Sequence, residues 1–269
     1  MGNDFMIAPL AEYEQRFGGF ESADFRAWVQ PIVQLCDRKR GFGADGVILH
    51  GEPQNGQVQC VLINSNGTLA SFSGNGFACL TSNFSEGQVL NINGKFDVSK
   101  SDEGVQISVK QFGSIKDRYF FEHKLGGYDY SLWDVGNEHA VFLKFSNESD
   151  CLLFEHPFNS FDKLEEGELE SHFKSTKLYP EGINVGLALI GENWIQLKVW
   201  ERGCGWTEAC SSGAIAAFLA ANSFRMMSGE VEIRQAGGLS TIYWSVPNRL
   251  IKLCLRPRFV GRLEYEVKR

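Results

Sequence analysis

Residues 200–213 read WERGCGWTEACSSG, and this stretch decides the fold. It combines an apolar strand end, the charged pair Glu201-Arg202, a glycine-containing turn and then Cys210 before Ser211-Ser212-Gly213. The apolar run Ala214–Asn222 that follows predicts a buried helix. Glu201 precedes Cys210 by nine residues. The stretch therefore predicts a strand and a central helix, with polar side chains gathered at the helix start.

The same arrangement occurs once earlier in the chain. The apolar segment Val58–Ile63 predicts a strand that ends before Asn64, and Asn64 precedes Ser73 by nine residues. Ser73-Gly74-Asn75-Gly76 is a second cluster of small residues, and Phe77–Phe84 after it predicts a short buried helix. The two stretches therefore resemble copies of one strand-turn-helix unit.

A third matched position favours duplication over a chance likeness between glycine turns. Gly2-Asn3-Asp4-Phe5 is similar to Gly136-Asn137-Glu138-His139. Asn3 lies 61 residues before Asn64, and Asn137 lies 64 residues before Glu201. Three matched offsets in the same order indicate an internal repeat, which constrains the architecture of the whole chain.

Elsewhere the patterning predicts mainly strands. They are expected at residues 88–92, 105–109, 184–190, 194–200, 230–234, 240–246 and 250–255. A helical stripe covers residues 23–38, where Pro31 predicts a kink or a split into two helices. We expect a domain boundary at Gly113–Arg118. Residues 1–114 then form an N-terminal lobe, 115–258 a C-terminal lobe, and 259–269 a tail that returns to the N-terminal lobe.

Composition excludes several classes of function. The net charge is −7 and the basic cluster Arg38-Lys39-Arg40 stands alone, so we expect no nucleic-acid partner. The densest apolar run, Ala214–Ala221, is too short to span a bilayer, and no secretory signal is visible. We therefore expect a cytoplasmic protein with no membrane partner and with seven reduced cysteines. The five histidines lack metal-ligand spacing, so we expect no metal and interpret them as ordinary core or surface residues.

The segment Gly41-Phe42-Gly43-Ala44-Asp45-Gly46 matches the dinucleotide-binding spacing G-x-G-x-x-G. A dinucleotide fingerprint follows a strand and opens a helix. This segment follows a predicted helix and opens the strand Val47-Ile48-Leu49, which is the reverse order. We therefore predict no nucleotide cofactor.

The two predicted helix starts suggest a shared binding site. The first turn of a helix exposes unpaired N–H groups at the positive end of its dipole, so two facing starts would bind a carboxylate. The same positive end would lower the pKa of Cys210 and supply a thiolate able to remove a proton from the neighbouring carbon. Glu201 would hold an ammonium group and Arg202 a second carboxylate. Taken alone, Cys210 would be a small buried apolar residue and Glu201-Arg202 a surface ion pair.

In their order and spacing these motifs resemble the diaminopimelate epimerase family from end to end. The matching segments are Gly2-Asn3-Asp4-Phe5, Gly41–Gly46, Ile63–Gly67, Gly74-Asn75-Gly76, Gly136-Asn137-Glu138-His139, Asn184-Val185, Glu201-Arg202-Gly203 and Ala209-Cys210. The resemblance implies an α+β fold of two similar lobes, each a mostly antiparallel or mixed sheet wrapped around a central helix, with the active site between the lobes. It implies interconversion of L,L- and meso-diaminopimelate, for lysine and peptidoglycan, without pyridoxal phosphate, metal or other cofactor. It also implies a homodimer.

The resemblance further implies roles for individual residues. Ser73 and Cys210 fall at the two positions that remove the α-proton and return one to the opposite face. The helix starts would hold the reacting carboxylate, through Gly74, Asn75, Ser211 and Ser212. The ammonium groups and the distal carboxylate would be positioned by Asn3, Asn64, Asn137, Asn184, Glu201 and Arg202.

This chain departs from the family pattern at several places. The family has cysteine where this chain has Ser73, and Cys79, which matches a second family cysteine, lies too far inside the helix to replace it. Trp206 occupies a position usually held by Glu. The first short strand of the family is missing before Gly2-Asn3, so the edge of the first lobe lacks its usual support.

Four functions stay open at this point. The first is a diaminopimelate epimerase whose activity Ser73 impairs or alters. The second is a racemase of another amino acid, such as histidine or proline, although Arg202 and the asparagines argue against it. The third is a catalytically inactive diamino-acid-binding protein. The fourth is a phenazine-biosynthesis-like branch that uses a carboxylate base, against which the retained Cys210 argues.

Overall fold

The structure is a computed structural model. It describes residues 2–17, 25–70, 72–84, 87–91, 94–109, 123–125, 128–146, 171–173, 179, 182–202, 204–224, 227, 229–245, 247 and 250–264. The expected domain boundary at Gly113–Arg118 lies outside the described residues, and the division into residues 1–114, 115–258 and 259–269 stays a prediction.

The described residues up to 109 form six strands and three helices, and the third helix lies between the third and fourth strands. The elements are β1 (Phe5–Pro9), α1 (Leu10–Phe17), α2 (Phe25–Cys36), β2 (Gly46–His50), β3 (Gln57–Asn64), α3 (Gly74–Thr81), β4 (Gly87–Asn91), β5 (Gly94–Ser101) and β6 (Gly104–Val109).

The later described residues contain a similar series of strands around a longer central helix. The elements are β7 (His123–Leu125), β8 (Tyr128–Asp134), β9 (Glu138–Phe145), β10 (Asn184–Ile190), β11 (Trp194–Glu201), β12 (Gly205–Thr207), α4 (Ser211–Phe224), β13 (Gly229–Gln235), β14 (Gly238–Ser245) and β15 (Leu250–Leu255).

Strand pairing confirms the duplication. From β1 to β6 the successive pairs are parallel, antiparallel, parallel, antiparallel and antiparallel. The same series runs through β9, β10, β11, β13, β14 and β15. Each of the strands β1 to β6 therefore has an equivalent in the second half, and α3 is equivalent to α4. Asn3 and Asn137 both lie just before the first strand of their series, as their matched offsets predict.

The two halves join through one strand pair. β6 pairs antiparallel with β15, and these are the last strands of the two equivalent series. The sheet is therefore continuous from β1 to β7, and each half curls around its own helix. α3 contacts β5, β6 and β15, while α4 contacts β8 to β11 and β15.

The central helix α4 is apolar on every side. Each residue from Ser211 to Ala221 is buried, including Ile215 and Phe218 at 0% exposure. A helix enclosed by sheet needs no polar face, which explains why the sequence shows an apolar run without helical alternation. The α+β fold of two similar lobes around central helices is confirmed.

The predicted split at Pro31 is wrong, because α2 runs from Phe25 to Cys36 without interruption. Trp28, Ile32 and Cys36 are buried in one cluster against β2 and β3. This packing holds the helix together although proline cannot donate a backbone hydrogen bond. The edge strand β1 also forms, paired in parallel with β2.

The other predicted elements are confirmed with small differences at their ends. The helix expected to start at Phe77 begins at Gly74, because Ser73 is an extended N-cap residue whose Oγ accepts a hydrogen bond from Gly76 N. The segment Gly41–Gly46 lies between α2 and β2, in the order that argues against nucleotide binding. None of the helices in the described part of the chain has the length and apolarity needed to cross a membrane.

Candidate active site at the facing helix starts

The starts of α3 and α4 meet directly. The Ser211 hydroxyl oxygen accepts hydrogen bonds from Gly74 N at 2.8 Å and Asn75 N at 3.3 Å, across 137 positions of sequence. A Cβ atom added to Gly74 would lie 2.9 Å from both Cβ and Oγ of Ser211. The two helix starts are therefore in contact, and a side chain larger than glycine would not fit at residue 74 opposite Ser211. The predicted arrangement of two facing helix starts is present.

Cys210 lies in the cap position of α4 and is 4% exposed. Its sulfur accepts a hydrogen bond from Gly213 N at 3.4 Å and lies 3.4 Å from Ser212 Oγ. Cys210 is thus the structural equivalent of Ser73, whose oxygen accepts from Gly76 N at 3.1 Å. The predicted placement of the thiol at a helix start is what the geometry shows.

The predicted lowering of the Cys210 pKa is wrong. Burial and the charge of Glu201 raise the pKa of the thiol well above its ordinary value. The hydrogen bonds from Ser212 and Gly213 act in the predicted direction, but they are outweighed. In the unliganded protein Cys210 is therefore a neutral thiol near neutral pH, and a thiolate requires a partner that takes up its proton.

Glu201 lies where such a partner is needed. It ends β11, and its carboxylate accepts a hydrogen bond from Thr207 Oγ1 at 2.6 Å and interacts with the Cys210 thiol. Burial raises the pKa of Glu201, although the Thr207 and Cys210 hydrogen bonds oppose that shift. A carboxyl group with a raised pKa is a better proton acceptor, so Glu201 is placed to exchange a proton with the thiol.

The sequence interpretation missed His139. This residue is 0% exposed, and its Nε2 lies 3.0 Å from Ser212 Oγ and 3.5 Å from Asn184 Nδ2. Nε2 is the donor or the acceptor towards Ser212 Oγ depending on the tautomer, and Nδ1 is buried without a hydrogen-bond partner among the described residues. Burial lowers the pKa of His139 to about 3, so the ring is neutral. His139 belongs to the motif that contains Asn137, and this position in the motif could have identified it as a candidate site residue.

Ser212 connects these groups. Its hydroxyl lies within 3.4 Å of the Cys210 sulfur and accepts a hydrogen bond from Asn137 Nδ2 at 3.3 Å. Asn137 also donates to the Phe72 carbonyl at 3.0 Å and so joins the two lobes. In this arrangement the side chains of Asn137 and Ser212 bind each other.

Asn3 reaches the same place from the first lobe. Its Oδ1 accepts from Asn75 Nδ2 at 2.6 Å, and its Nδ2 donates to Asp45 at 3.1 Å. Arg38 in turn bridges Asp4 and Asp45. Burial disfavours the charge on Asp4, but the hydrogen bonds and charge of Arg38 lower its pKa overall. Asn3 is therefore held by hydrogen bonds to Asn75 and Asp45.

The residues proposed for the distal end of the substrate are more open. Asn64 ends β3 and donates to Thr68 Oγ1 at 3.0 Å. Asn184 Oδ1 accepts from the backbone of Arg202, whose exposed guanidinium lies 3.4 Å from the Gly182 carbonyl. Asn184 and Arg202 therefore lie together beside Glu201 and leave a cation facing outward.

Two other residues that were considered in the comparison with the family pattern, Cys79 and Trp206, lie outside this cluster. Cys79 is six residues beyond Ser73 in α3, and burial raises its pKa to about 11. Trp206 is part of the β11–β12 hairpin, where Lys198 Nζ lies 4.2 Å from its ring centroid. Cys79 is therefore poorly suited to replace a thiol at Ser73, and Trp206 contributes packing.

The chain is similar in sequence to known isomerases. The family model described as diaminopimelate epimerase matches residues 133–262. A diaminopimelate epimerase from Sphingopyxis alaskensis is 28% identical over 91% of this chain and 87% of its own length. One from Stutzerimonas stutzeri is 26% identical over 94% and 91%.

A solved structure supports the fold. A predicted epimerase from Pseudomonas aeruginosa is similar with a TM-score of 0.58, covering 99% of this chain and 94% of that one at 12% sequence identity. At such low identity the likeness concerns the fold alone. The similarity extends over nearly the whole length of both chains.

Proposed function

We propose that the chain is an amino-acid isomerase of the diaminopimelate epimerase family and that it removes the α-proton of diaminopimelate with Cys210 as the base. The observation that carries this proposal is the buried Cys210 at the start of α4, with Glu201 beside its sulfur. A thiol in that place has both a hydrogen-bond donor for its anionic form and an acceptor for its proton.

The proposed reaction begins with transfer of the Cys210 proton to Glu201. The resulting thiolate takes the proton from the α-carbon, and the electron pair of the broken C–H bond moves into the substrate carboxylate. The N–H groups at the start of α4 stabilise the charge that develops on the carboxylate oxygens. Return of a proton to the same face restores the substrate, and delivery to the opposite face completes the epimerisation.

Delivery to the opposite face is the weak step. The equivalent position there is Ser73, whose hydroxyl oxygen accepts a hydrogen bond from Gly76 N. A hydroxyl donates a proton far less readily than a thiol, either directly or through water. We therefore propose that exchange on the Cys210 side is faster than conversion between the two stereoisomers.

The distal half of the substrate would extend towards Arg202 and Asn184. Arg202 is exposed beside Asn184, and a guanidinium suits bidentate binding of a carboxylate. This arrangement favours diaminopimelate over a substrate with one carboxylate, such as proline or histidine.

The test is proton NMR of α-hydrogen exchange in D2O, run separately on L,L- and meso-diaminopimelate. We expect exchange at one configuration of the α-carbon, with slow conversion to the other stereoisomer. Equal exchange and conversion from both stereoisomers would contradict the one-sided mechanism. Absence of exchange together with absence of calorimetric binding would remove diaminopimelate as the substrate.

Two observations favour a second candidate, a diamino-acid-binding protein without turnover. Ser73 supplies no thiol, and the Ser211 hydroxyl is already bound to Gly74 N and Asn75 N. Tight binding of diaminopimelate in the absence of α-proton exchange would select this candidate over the isomerase.

A further inference from the structure

The two helix starts differ in how their leading N–H groups are used. In α3 all three are bound by serine hydroxyls: Gly74 N and Asn75 N donate to Ser211 Oγ, and Gly76 N donates to Ser73 Oγ. In α4 the third one, Gly213 N, donates to the Cys210 sulfur. For the first two, Ser211 N and Ser212 N, the described residues supply no recorded acceptor.

This difference has one cause in the sequence. Ser211 and Gly74 occupy equivalent positions, the first residue of each helix, and only Ser211 has a side chain. Its hydroxyl crosses to the opposite helix and is buried there, with 5% of the residue exposed. A second side chain would not fit, because a Cβ on Gly74 would lie 2.9 Å from Ser211 and 3.1 Å from Leu253.

We propose that Ser211 is a specificity-determining residue that withholds the N–H groups of α3 from the substrate carboxylate. This inference depends on the proposed function, because it concerns the same site. The hydroxyl accepts two hydrogen bonds, which uses both lone pairs and leaves its proton to donate to a ligand. The substrate carboxylate is then held by the N–H groups of α4 and by the Ser211 hydroxyl. Because that hydroxyl lies between the carboxylate and α3, the carboxylate is further from Ser73 than it would be if it bound α3 directly.

A second observation indicates that a ligand is expected in this place. Asn75 is 7% exposed, and its Oδ1 has no hydrogen-bond partner among the described residues. Its Nδ2 donates to Asn3. A buried acceptor without a donor is unfavourable unless a ligand supplies one, and an α-ammonium group is such a donor.

The consequence concerns both faces of the α-carbon. A carboxylate displaced towards α4 stays near Cys210 and moves away from residue 73. Restoring a thiol with Ser73→Cys therefore does not by itself restore conversion between the stereoisomers. Conversion requires Ser211→Gly as well, because only then do Gly74 N and Asn75 N become available to the carboxylate.

The experiment compares Ser73→Cys, Ser211→Gly and the double variant with the wild-type protein. We expect the double variant to convert L,L- to meso-diaminopimelate at least about tenfold faster than Ser73→Cys alone, since two hydrogen bonds to a charged group are regained. Ser73→Cys with full conversion and no further gain from Ser211→Gly would overturn the proposal.

A binding measurement separates this inference from the proposed function. The amide signals of Gly74 and Asn75 are followed by NMR during titration with acetate, a probe that carries only the carboxylate. We expect these signals to shift in Ser211→Gly and Ser211→Ala but not in the wild-type protein. Shifts of equal size in the wild type would overturn the role of Ser211, whether or not diaminopimelate is a substrate.

Ser223→Ala is the matched control. It removes a hydroxyl from the same helix, where Ser223 Oγ donates to the Ala220 carbonyl, about 18 Å along the helix from Ser211. It is expected to respond to acetate as the wild type does. Ser211→Ala serves beside Ser211→Gly because alanine keeps the helix propensity that glycine lowers.

Discussion

The starts of α3 and α4 have the same backbone arrangement and different chemistry. In each, the side chain before the helix accepts a hydrogen bond from the third helical residue, at 3.1 Å in the first lobe and 3.4 Å in the second. The capping atom is an oxygen at Ser73 and a sulfur at Cys210. The comparison teaches that a helix cap accepts either atom, so the fold tolerates a change that the chemistry does not.

The size of the chemical difference can be stated. A free thiol has a pKa of ~8.5, whereas an alcohol hydroxyl loses its proton about seven pKa units higher. Seven units at ~1.36 kcal/mol each correspond to about 9 kcal/mol against Ser73 as a base. Burial and the charge of Glu201 raise the pKa of Cys210, which narrows this gap. Proton removal is therefore assigned to the second lobe.

The largest expected effect comes from making the two helix starts alike. Cys210→Ser should lower the rate of α-proton exchange by at least ~10²-fold, because the base is lost while the cap is kept. Ser73→Ala should change this rate little, although loss of its N-cap hydrogen bond should cost ~1 kcal/mol of stability. Exchange of diaminopimelate in D2O measures the first effect, and urea unfolding measures the second. Equal rate losses in the two variants would show that the lobes contribute symmetrically.

A smaller effect concerns the position where His139 in the second lobe corresponds to Phe5 in the first. The pKa of buried His139 is lowered to about 3, whereas an unfolded histidine titrates near ~6.5. Below pH ~6.5 the unfolded chain binds a proton that the folded protein does not. The contribution of His139 to the free energy of unfolding is therefore complete above pH ~6.5. It decreases by ~1.4 kcal/mol per pH unit as the pH falls from ~6.5 towards 3.

His139→Gln should remove this contribution to the pH dependence. Urea unfolding at pH 7, 6 and 5 measures it as the difference in slope between variant and wild type. His50→Gln, which changes a half-buried histidine on β2, is the control and should keep the wild-type slope. An unchanged slope in His139→Gln would mean that the ring is charged or accessible in the folded protein.

The smallest effect is expected at the first strand of each lobe. Arg38 bridges Asp4 and Asp45 in the first lobe, whereas in the second lobe burial and Asp134 raise the pKa of the equivalent Glu138. The Arg38 side chain is 57% exposed, so Arg38→Gln should lower stability by at most ~1 kcal/mol. Urea unfolding should show the loss at low salt and less of it at high salt. Arg40→Gln, which removes the same charge nearby, is the control, and a salt-independent loss would point to packing instead.

Much of the fold could be predicted from the sequence. Strands such as Asn184–Ile190 and Leu250–Leu255 are found at their predicted ends, since their apolar patterns are local and bounded by turn residues. The matched offsets also predicted the duplication that strand pairing confirms. Pro31 was misread because a local rule about proline takes no account of Trp28 and Ile32, which pack on β2 and β3.

The positions of the candidate site residues in the fold could be predicted from the sequence better than their electrostatics could. Ser73 and Cys210 lie at equivalent helix starts, as the repeat required. The sequence pattern predicts a helix start at Cys210, and the helix dipole there lowers the pKa of a thiol. The pattern does not predict how strongly burial and the charge of Glu201 raise that pKa. The sequence offered one signal for His139, its place in the Asn137 motif, but not its contact with Ser212, which joins residues 73 positions apart.

The sequence by itself therefore determined the repeated unit, the two central helices and the residues that stand at their starts. Only the tertiary structure decided that Ser211 binds the N–H groups of Gly74 and Asn75, and that Cys210 is a neutral buried thiol. The physical reason is range. Helix and strand patterns depend on neighbours a few residues away, whereas hydrogen bonds between the lobes and the cost of burying a charge depend on which distant parts of the chain pack together.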